Sequence, residues 1–302
     1  MLNLDFPEYD EPKPKEYYGL MDLPMAEYRS IDALSNHELQ MFHKNPATYI
    51  WNKTAPRDSS KAATADFGTL VHAMILEPET VDSEFLVTDI KGRHSASFVK
   101  FQADHPDLIV VTEGEYSQAK IMAESALCDP TYCWWVKAKG QAEASIVAHD
   151  PVSGLLLKIR PDKLVFGGVP IGGVPMLGDV KTTASIDDWR NPQTWKNPLF
   201  AMGYGFTAAF YLHVASLHYQ MELTDYTFLV SQKSALLGKY PVSTFVISKQ
   251  QLIDLGFWDE MLNALTEFAK HKESGFYSTI EQFPVFNIYN ENDGEIEVTF
   301  ES

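Results

Sequence analysis

Two short stretches decide how this chain is read: Lys158-Ile159-Arg160-Pro161-Asp162-Lys163-Leu164 and Gly178-Asp179-Val180-Lys181-Thr182-Thr183. Read as β-strands, they send side chains to opposite faces in turn. Lys158, Arg160 and Asp162 then share one face of the first strand, and Asp179 and Lys181 share one face of the second. If the two strands pair, Asp162 and Asp179 converge on a point where a hard divalent cation, Mg²⁺ or Mn²⁺, finds the oxygen ligands it prefers. Lys181 lies two residues beyond Asp179. An Asp on one strand and Asp-x-Lys on the next suits metal-assisted phosphodiester hydrolysis, in which the lysine orients water or stabilises developing charge. Asp-x-Lys alone occurs by chance in most proteins, and strand-edge charges are commonly just solvated, so the weight of the pattern comes from its company.

Outward from these strands, the periodicities lay out an ordered set of elements. Ser35 followed by Glu38 is a capping-box pattern opening a short helix that Pro46 ends. Phe67, Leu70, Val71, Met74 and Ile75 give an apolar stripe at helical spacing, so a helix is predicted over 65–77 after a polar loop at 53–64. The stretch 88–112 reads as irregular, and 115–127 as a further helix. Runs at 144–148 and 155–166, joined by Asp150-Pro151-Val152-Ser153-Gly154, predict two antiparallel strands, and a Gly/Pro-rich connection leads to a third at 176–183. Beyond these, a helix over 200–217, strands at 226–232 and 242–247, and one long helix over 250–272 complete an α/β (α+β) pattern, a sheet with helices on its faces.

Two more residues join the acidic pair. Gly68, His72 and Leu76 lie one turn apart on a helix face away from the apolar stripe, with Gly68 leaving that face open. A lone helical histidine is more often a hydrogen-bonded structural residue than a ligand, yet one aimed at an acidic strand pair could complete a metal's inner shell. Glu143, at the head of the first strand, reads equally well as an ordinary exposed acid or as a residue at the metal. Tyr132, Trp134 and Trp135 could stack on bases, but a buried helix core suits them better.

Composition bounds the function. The 302 residues carry 24 basic and 41 acidic side chains, a formal charge of −17, which argues against a broad basic coat for nucleic acid. The first 20 residues and the last 22 hold 11 of the acids and only two of the bases, so −8 remains for 21–280. Two cysteines, Cys128 and Cys133, are too few for a disulfide framework or a four-cysteine metal site and suit a reducing cytosol. The N-terminus lacks the basic start and apolar run of a signal peptide, and no apolar stretch is long enough to span a membrane, so a soluble cytoplasmic protein is expected. The expected organisation is a flexible acidic arm at 1–24, a single domain at 25–280 and an acidic tail at 281–302.

Gly68-Thr69-Leu70-Val71-His72, Glu143, Arg160-Pro161-Asp162, Gly178-Asp179-Val180-Lys181-Thr182-Thr183 and a helix carrying Tyr204 and Tyr211 follow one another in an order that resembles the RecB-type branch of the PD-(D/E)XK nuclease superfamily. The likeness is nearest to the exodeoxyribonuclease VIII family of phage and prophage recombination exonucleases and covers roughly residues 25–235. It implies a restriction-endonuclease-like core, a central mixed sheet flanked by helices. It implies a Mg²⁺-dependent 5′-to-3′ exonuclease on linear double-stranded DNA, with Mn²⁺ able to substitute, that leaves a 3′ strand for an annealing protein in a bacterial or phage-infected cell. A ring-like homo-oligomer follows from the same resemblance. By position, His72, Asp162, Asp179 and the Val180 carbonyl would bind metal, Lys181 would be the catalytic lysine with Asp179 and Asp162, and Glu143 would sit near a second metal or the incoming water. Arg160, Tyr204, Thr207 and Tyr211 would contact DNA; Thr207 stands where the family usually carries a glutamine. An endonuclease or repair nuclease of the same superfamily, or a non-catalytic acidic DNA mimic or binding module, are the competing readings, and the joint presence of Asp162, Asp179 and Lys181 speaks against the last.

Overall fold

The computed structural model of the protein describes residues 22–56, 66–166, 174–191, 195–275, 288–290 and 294–296. The first 21 residues of the acidic arm, the polar loop at 57–65, the glycine-rich connection at 167–173 and most of the acidic tail lie outside the described residues. Helix starts follow the sequence closely. Ser35 Oγ accepts from the Glu38 N–H while Glu38 reaches back to the Ser35 N–H, opening the Asn36–Lys44 helix. Thr112 and Glu115 repeat the device at Glu113–Cys128. Each cap is worth about 1 kcal/mol.

The strands form two main sheets. A five-stranded sheet runs in the order Val242–Ser248, Asp225–Gln232, Met176–Thr183, Lys163–Val165, Gly140–Ala142, all antiparallel except the central Met176–Thr183/Asp225–Gln232 pair. A three-stranded sheet pairs Leu156–Ile159 with Leu34–Ser35 in parallel and with Ile146–His149 antiparallel. Alternation along the central strands feeds two cores. Leu177, Tyr226, Phe228 and Val230 join one with Phe206, Phe210 and Leu212 of the Tyr204–Tyr219 helix. Val180 and Leu229 join another with Leu70, Val71 and Ile75 of the Asp66–Leu76 helix and with Met122 and Tyr132. This is a mixed α/β architecture with helices flanking the sheet.

Several expectations change. The single strand expected over 155–166 is two, Leu156–Ile159 and Lys163–Val165, in different sheets. Pro161 has no N–H to give a ladder and restricts the residue before it, so the chain crosses between the sheets there and the three-strand meander is divided. The shared face of Lys158, Arg160 and Asp162 is broken with it: Lys158 turns to the carbonyls of Tyr28, Arg29 and Ile31. The stretch read as irregular holds the Ala96–Asp104 helix between Phe85–Thr88 and Ile109–Thr112, two strands paired in parallel. The long final helix is interrupted at Gly256, whose φ of 84° favours glycine, into Lys249–Asp254 and Phe257–Ser274.

The Tyr204–Tyr219 and Phe257–Ser274 helices pack closely where Gly205 meets the buried Phe257 ring: a Cβ on Gly205 would stand 2.3 Å from a ring carbon. Gly205→Ala should therefore lose about 1–3 kcal/mol by overpacking, against the gain of up to about 1 kcal/mol that helix propensity alone gives an exposed Gly→Ala change. A lower urea midpoint than wild type is the expected result.

Candidate metal centre

Four separate parts of the chain bring their side chains to one recess. His72 comes from the Asp66–Leu76 helix, Glu143 from the turn after Gly140–Ala142, Asp162 from the crossing between sheets, and Asp179 and Lys181 from the Met176–Thr183 strand. Asp162 is held by reciprocal bonds to the next strand: its N–H donates to Asp179 Oδ1 at 3.2 Å and its Oδ2 accepts from the Val180 N–H at 2.8 Å. Glu143 sits in the left-handed region at φ 51°, where a non-glycine residue costs about 1–2 kcal/mol. That turn is fixed by its N–H on the Asp162 carbonyl, 3.1 Å away.

His72 Nε2 lies 3.3 Å from both Glu143 Oε1 and Asp162 Oδ2, buried and without a hydrogen bond of good geometry. Ligand atoms of His72, Glu143 and Asp162 all lie within 4.8 Å of one another. One imidazole and two carboxylates at that spacing, with an orphaned buried nitrogen among them, fit a divalent cation such as Mg²⁺ or Mn²⁺. Gly68 does not open this face by necessity, since a Cβ there would meet Thr182 Oγ1 at an ordinary 3.9 Å. Asp179 stands beside the group: its Oδ2 accepts from Lys181 Nζ at 2.9 Å, and Lys181 Nζ is 3.7 Å from Asp162 Oδ2. Val180 meets Asp162 through its N–H.

The charges are strongly interdependent. Burial opposes the charge on His72, but the Asp162 carboxylate, with help from Glu143, overrides it and raises the imidazole pKa to about 9. Burial likewise opposes ionisation of Asp162, yet Lys181 and His72 hold its pKa at about 2. Asp179 moves the other way, pushed up by burial and by the Asp162 charge, and Glu143 rises for the same two reasons. Lys181 is raised against its burial by Asp179 and Asp162. Two neighbouring carboxylates pushed apart in this way are a pattern of functional sites.

The remaining candidates fall into two groups. Tyr204 lies under the ammonium of Lys181, 5.6 Å from Nζ to ring centre, and stacks on Trp189. Tyr211 points its hydroxyl at the Arg160 carbonyl, 3.5 Å away. Arg160 is engaged within the protein: Nε donates to Glu143 Oε2 at 2.8 Å, and Nη1 to Ser145 Oγ and the Leu23 carbonyl. Thr207 is buried, its Oγ1 accepting from Asn36 and from Gln40, each at 3.0 Å, while donating to the Gly203 carbonyl. Gln40 thus brings an amide to the place where the resemblance led one to expect a glutamine at Thr207. Its one sequence signal is that Asn36 and Gln40 stand one turn apart on a capped helix. Tyr226, whose buried hydroxyl lies beside Asp179, reads in the sequence as an ordinary strand aromatic.

A crystal structure described as a "putative exonuclease" from Eubacterium rectale matches 88% of this chain and 97% of its own at a TM-score of 0.57 and 14% identity, a likeness of fold. A second structure, SSO0001, matches 67% of this chain and 84% of its own at 11% identity and a TM-score of 0.29. No curated protein sequence matches the chain. Residues 35–269 match a family described as a PDDEXK-like domain of unknown function (DUF3799), and the chain belongs to that family.

Proposed function

We propose that the protein is a divalent-metal-dependent nuclease that hydrolyses phosphodiester bonds of linear double-stranded DNA. The observation that carries the reading is the buried His72 Nε2, placed 3.3 Å from two carboxylates without a hydrogen bond of good geometry to either, with a lysine–aspartate pair alongside. His72, Glu143 and Asp162 would hold the cation, with Asp179 adjoining them. When bound, the cation supplies charge neutralisation at the scissile phosphate and lowers the pKa of a water. Lys181, protonated and fixed by Asp179, donates hydrogen bonds to charge developing on phosphate oxygens, and Tyr204 beneath it limits where the ammonium can move. Arg160 fixes Glu143 by a short charged bond, which makes it a positioning residue more than a DNA contact.

Mg²⁺ as the working ion, 5′-to-3′ attack from an end, and a 3′ strand passed to an annealing protein are supported by the motif order shared with the exodeoxyribonuclease VIII family. The fold shared with the Eubacterium rectale protein accords with exonucleolytic action. A ring-like homo-oligomer would keep the substrate enclosed. Among the described residues no helix is long and apolar enough to cross a membrane.

Purified protein should degrade linear duplex DNA only with added Mg²⁺ or Mn²⁺ and leave closed circles intact, scored on gels. Asp179→Asn and Lys181→Met should each lower the rate at least about 10²-fold with unchanged circular dichroism, the scale expected for loss of one preorganised charge. Full activity in either variant overturns the assignment, and equal cleavage of circles converts it to an endonuclease.

A pH signature follows from His72. Its pKa is about 9 when folded against 6.5 as the reference, so its contribution to stability is complete below 6.5 and disappears as pH rises through 9. In metal-free protein the unfolding free energy should fall by on the order of 1–3 kcal/mol over that window. His72→Leu should flatten this slope in urea titrations, and saturating Mn²⁺, which needs the neutral imidazole, should flatten it in the wild type.

A further inference from the structure

The end of the short Met25–Ser30 helix, Arg29 and Ser30, lines a polar pocket of about 270 Å³, and the Tyr28 ring lies against both Lys158, which lines the pocket, and Arg160, which is bonded to Glu143. Its lining reverses the charge balance of the chain. Against 41 acids and 24 bases overall, it collects four cations, Arg29, Lys53, Lys158 and Lys272, and two acids, Asp32 and Glu38.

Among the described residues, ion pairing matches one of the four cations and leaves three without a bonded carboxylate. Glu38 is taken up by Lys53 and by both the hydroxyl and the N–H of Ser35, and Asp32 is exposed to water. Lys158 is only 6% exposed, and its ammonium donates to three backbone carbonyls, Tyr28 and Arg29 at 3.2 Å and Ile31 at 2.7 Å. All three of its N–H groups are thereby used, so Lys158 brings charge but no free donor to the pocket; burial lowers its pKa and the nearby Glu38 and Asp32 oppose that. Arg29 and Lys272 are exposed and make no ion pair among the described residues.

We propose that this pocket is a binding site for a phosphoryl anion, separate from the acidic recess, in which Arg29 and Lys272 contact the phosphoryl oxygens and Lys158 supplies standing charge. Arginine presents a planar fork suited to two phosphoryl oxygens at once, and lysine a mobile point charge. The group could come from a free phosphate or mononucleotide or from a DNA strand. The site stands whether or not the recess cleaves DNA, because its residues take no part in holding the cation.

The test is calorimetric titration of the intact chain in metal-free buffer with inorganic phosphate, thymidine 5′-monophosphate and a 5′-phosphorylated duplex oligonucleotide, with thymidine as the uncharged control. At least one phosphoryl probe should bind while thymidine does not. Arg29→Gln/Lys272→Gln should weaken that binding at least tenfold; both side chains are exposed, so the thermal midpoint should not move, and Lys272→Gln alone should weaken it to a lesser degree. Binding of phosphate or the mononucleotide as tight as that of the duplex identifies a free ligand, and binding of the duplex alone identifies a DNA strand. Absence of binding by every phosphoryl probe at millimolar concentration, or wild-type affinity in the double variant, overturns the proposal.

Discussion

The structure depends on the reciprocal pair of hydrogen bonds that fastens Asp162 to the neighbouring strand, one from its own N–H to Asp179 and one to its carboxylate from the Val180 N–H. At Pro161 the chain has left one sheet and not yet entered the next, and a crossing of that kind has no ladder of its own to hold it. The two bonds replace the missing ladder. They also set two carboxylates side by side under burial, so that one is driven low in pKa and the other high. Structural closure and chemical polarisation are thus the same contact. His72, Glu143 and Lys181 gather around a point already fixed by the way the backbone passes between sheets.

Much of this was legible in the sequence, for identifiable reasons. Asp179 and Lys181 sit in an eight-residue strand whose alternation survives folding intact, and the Asp66–Leu76 helix has a stripe long enough to fix its phase. What could not be read depended on partners far along the chain. Lys158 shares a strand pattern with Arg160 and Asp162, but carbonyls about 130 positions earlier draw it elsewhere. Phe85–Thr88 and Ile109–Thr112 are four residues each, too short for a period to show, and they gain order only from pairing with each other. Glu143 joins His72 through a left-handed turn that no propensity assigns to glutamate. Gln40 reaches Thr207 across 167 positions.

The net charge of −17 takes on a more local meaning with the structure in hand. Glu143, Asp162 and Asp179 need one another's company for the recess to attract a cation, and each is offset in part by His72, Arg160 or Lys181. Basic side chains, scarce overall, match the carboxylates at the recess and outnumber them only in the pocket lined by Arg29, Lys53, Lys158 and Lys272. The excess of acid elsewhere opposes a general attraction to polyanions, so the local arrangement of charge matters more than the total.

Arg160 ties its own strand end to two other parts of the chain, the Leu23 carbonyl and the 143–145 turn with its Glu143 carboxylate and Ser145 hydroxyl, with the face of Tyr28 against its guanidinium. Because the guanidinium is rigid and planar, the directions of its donors are fixed relative to one another. One of its nitrogens meets the Leu23 carbonyl and another a carboxylate that stands 3.3 Å from His72. The backbone at Leu23 and the Glu143 carboxylate are thus held by one and the same guanidinium, so a change at Arg160 would release both together.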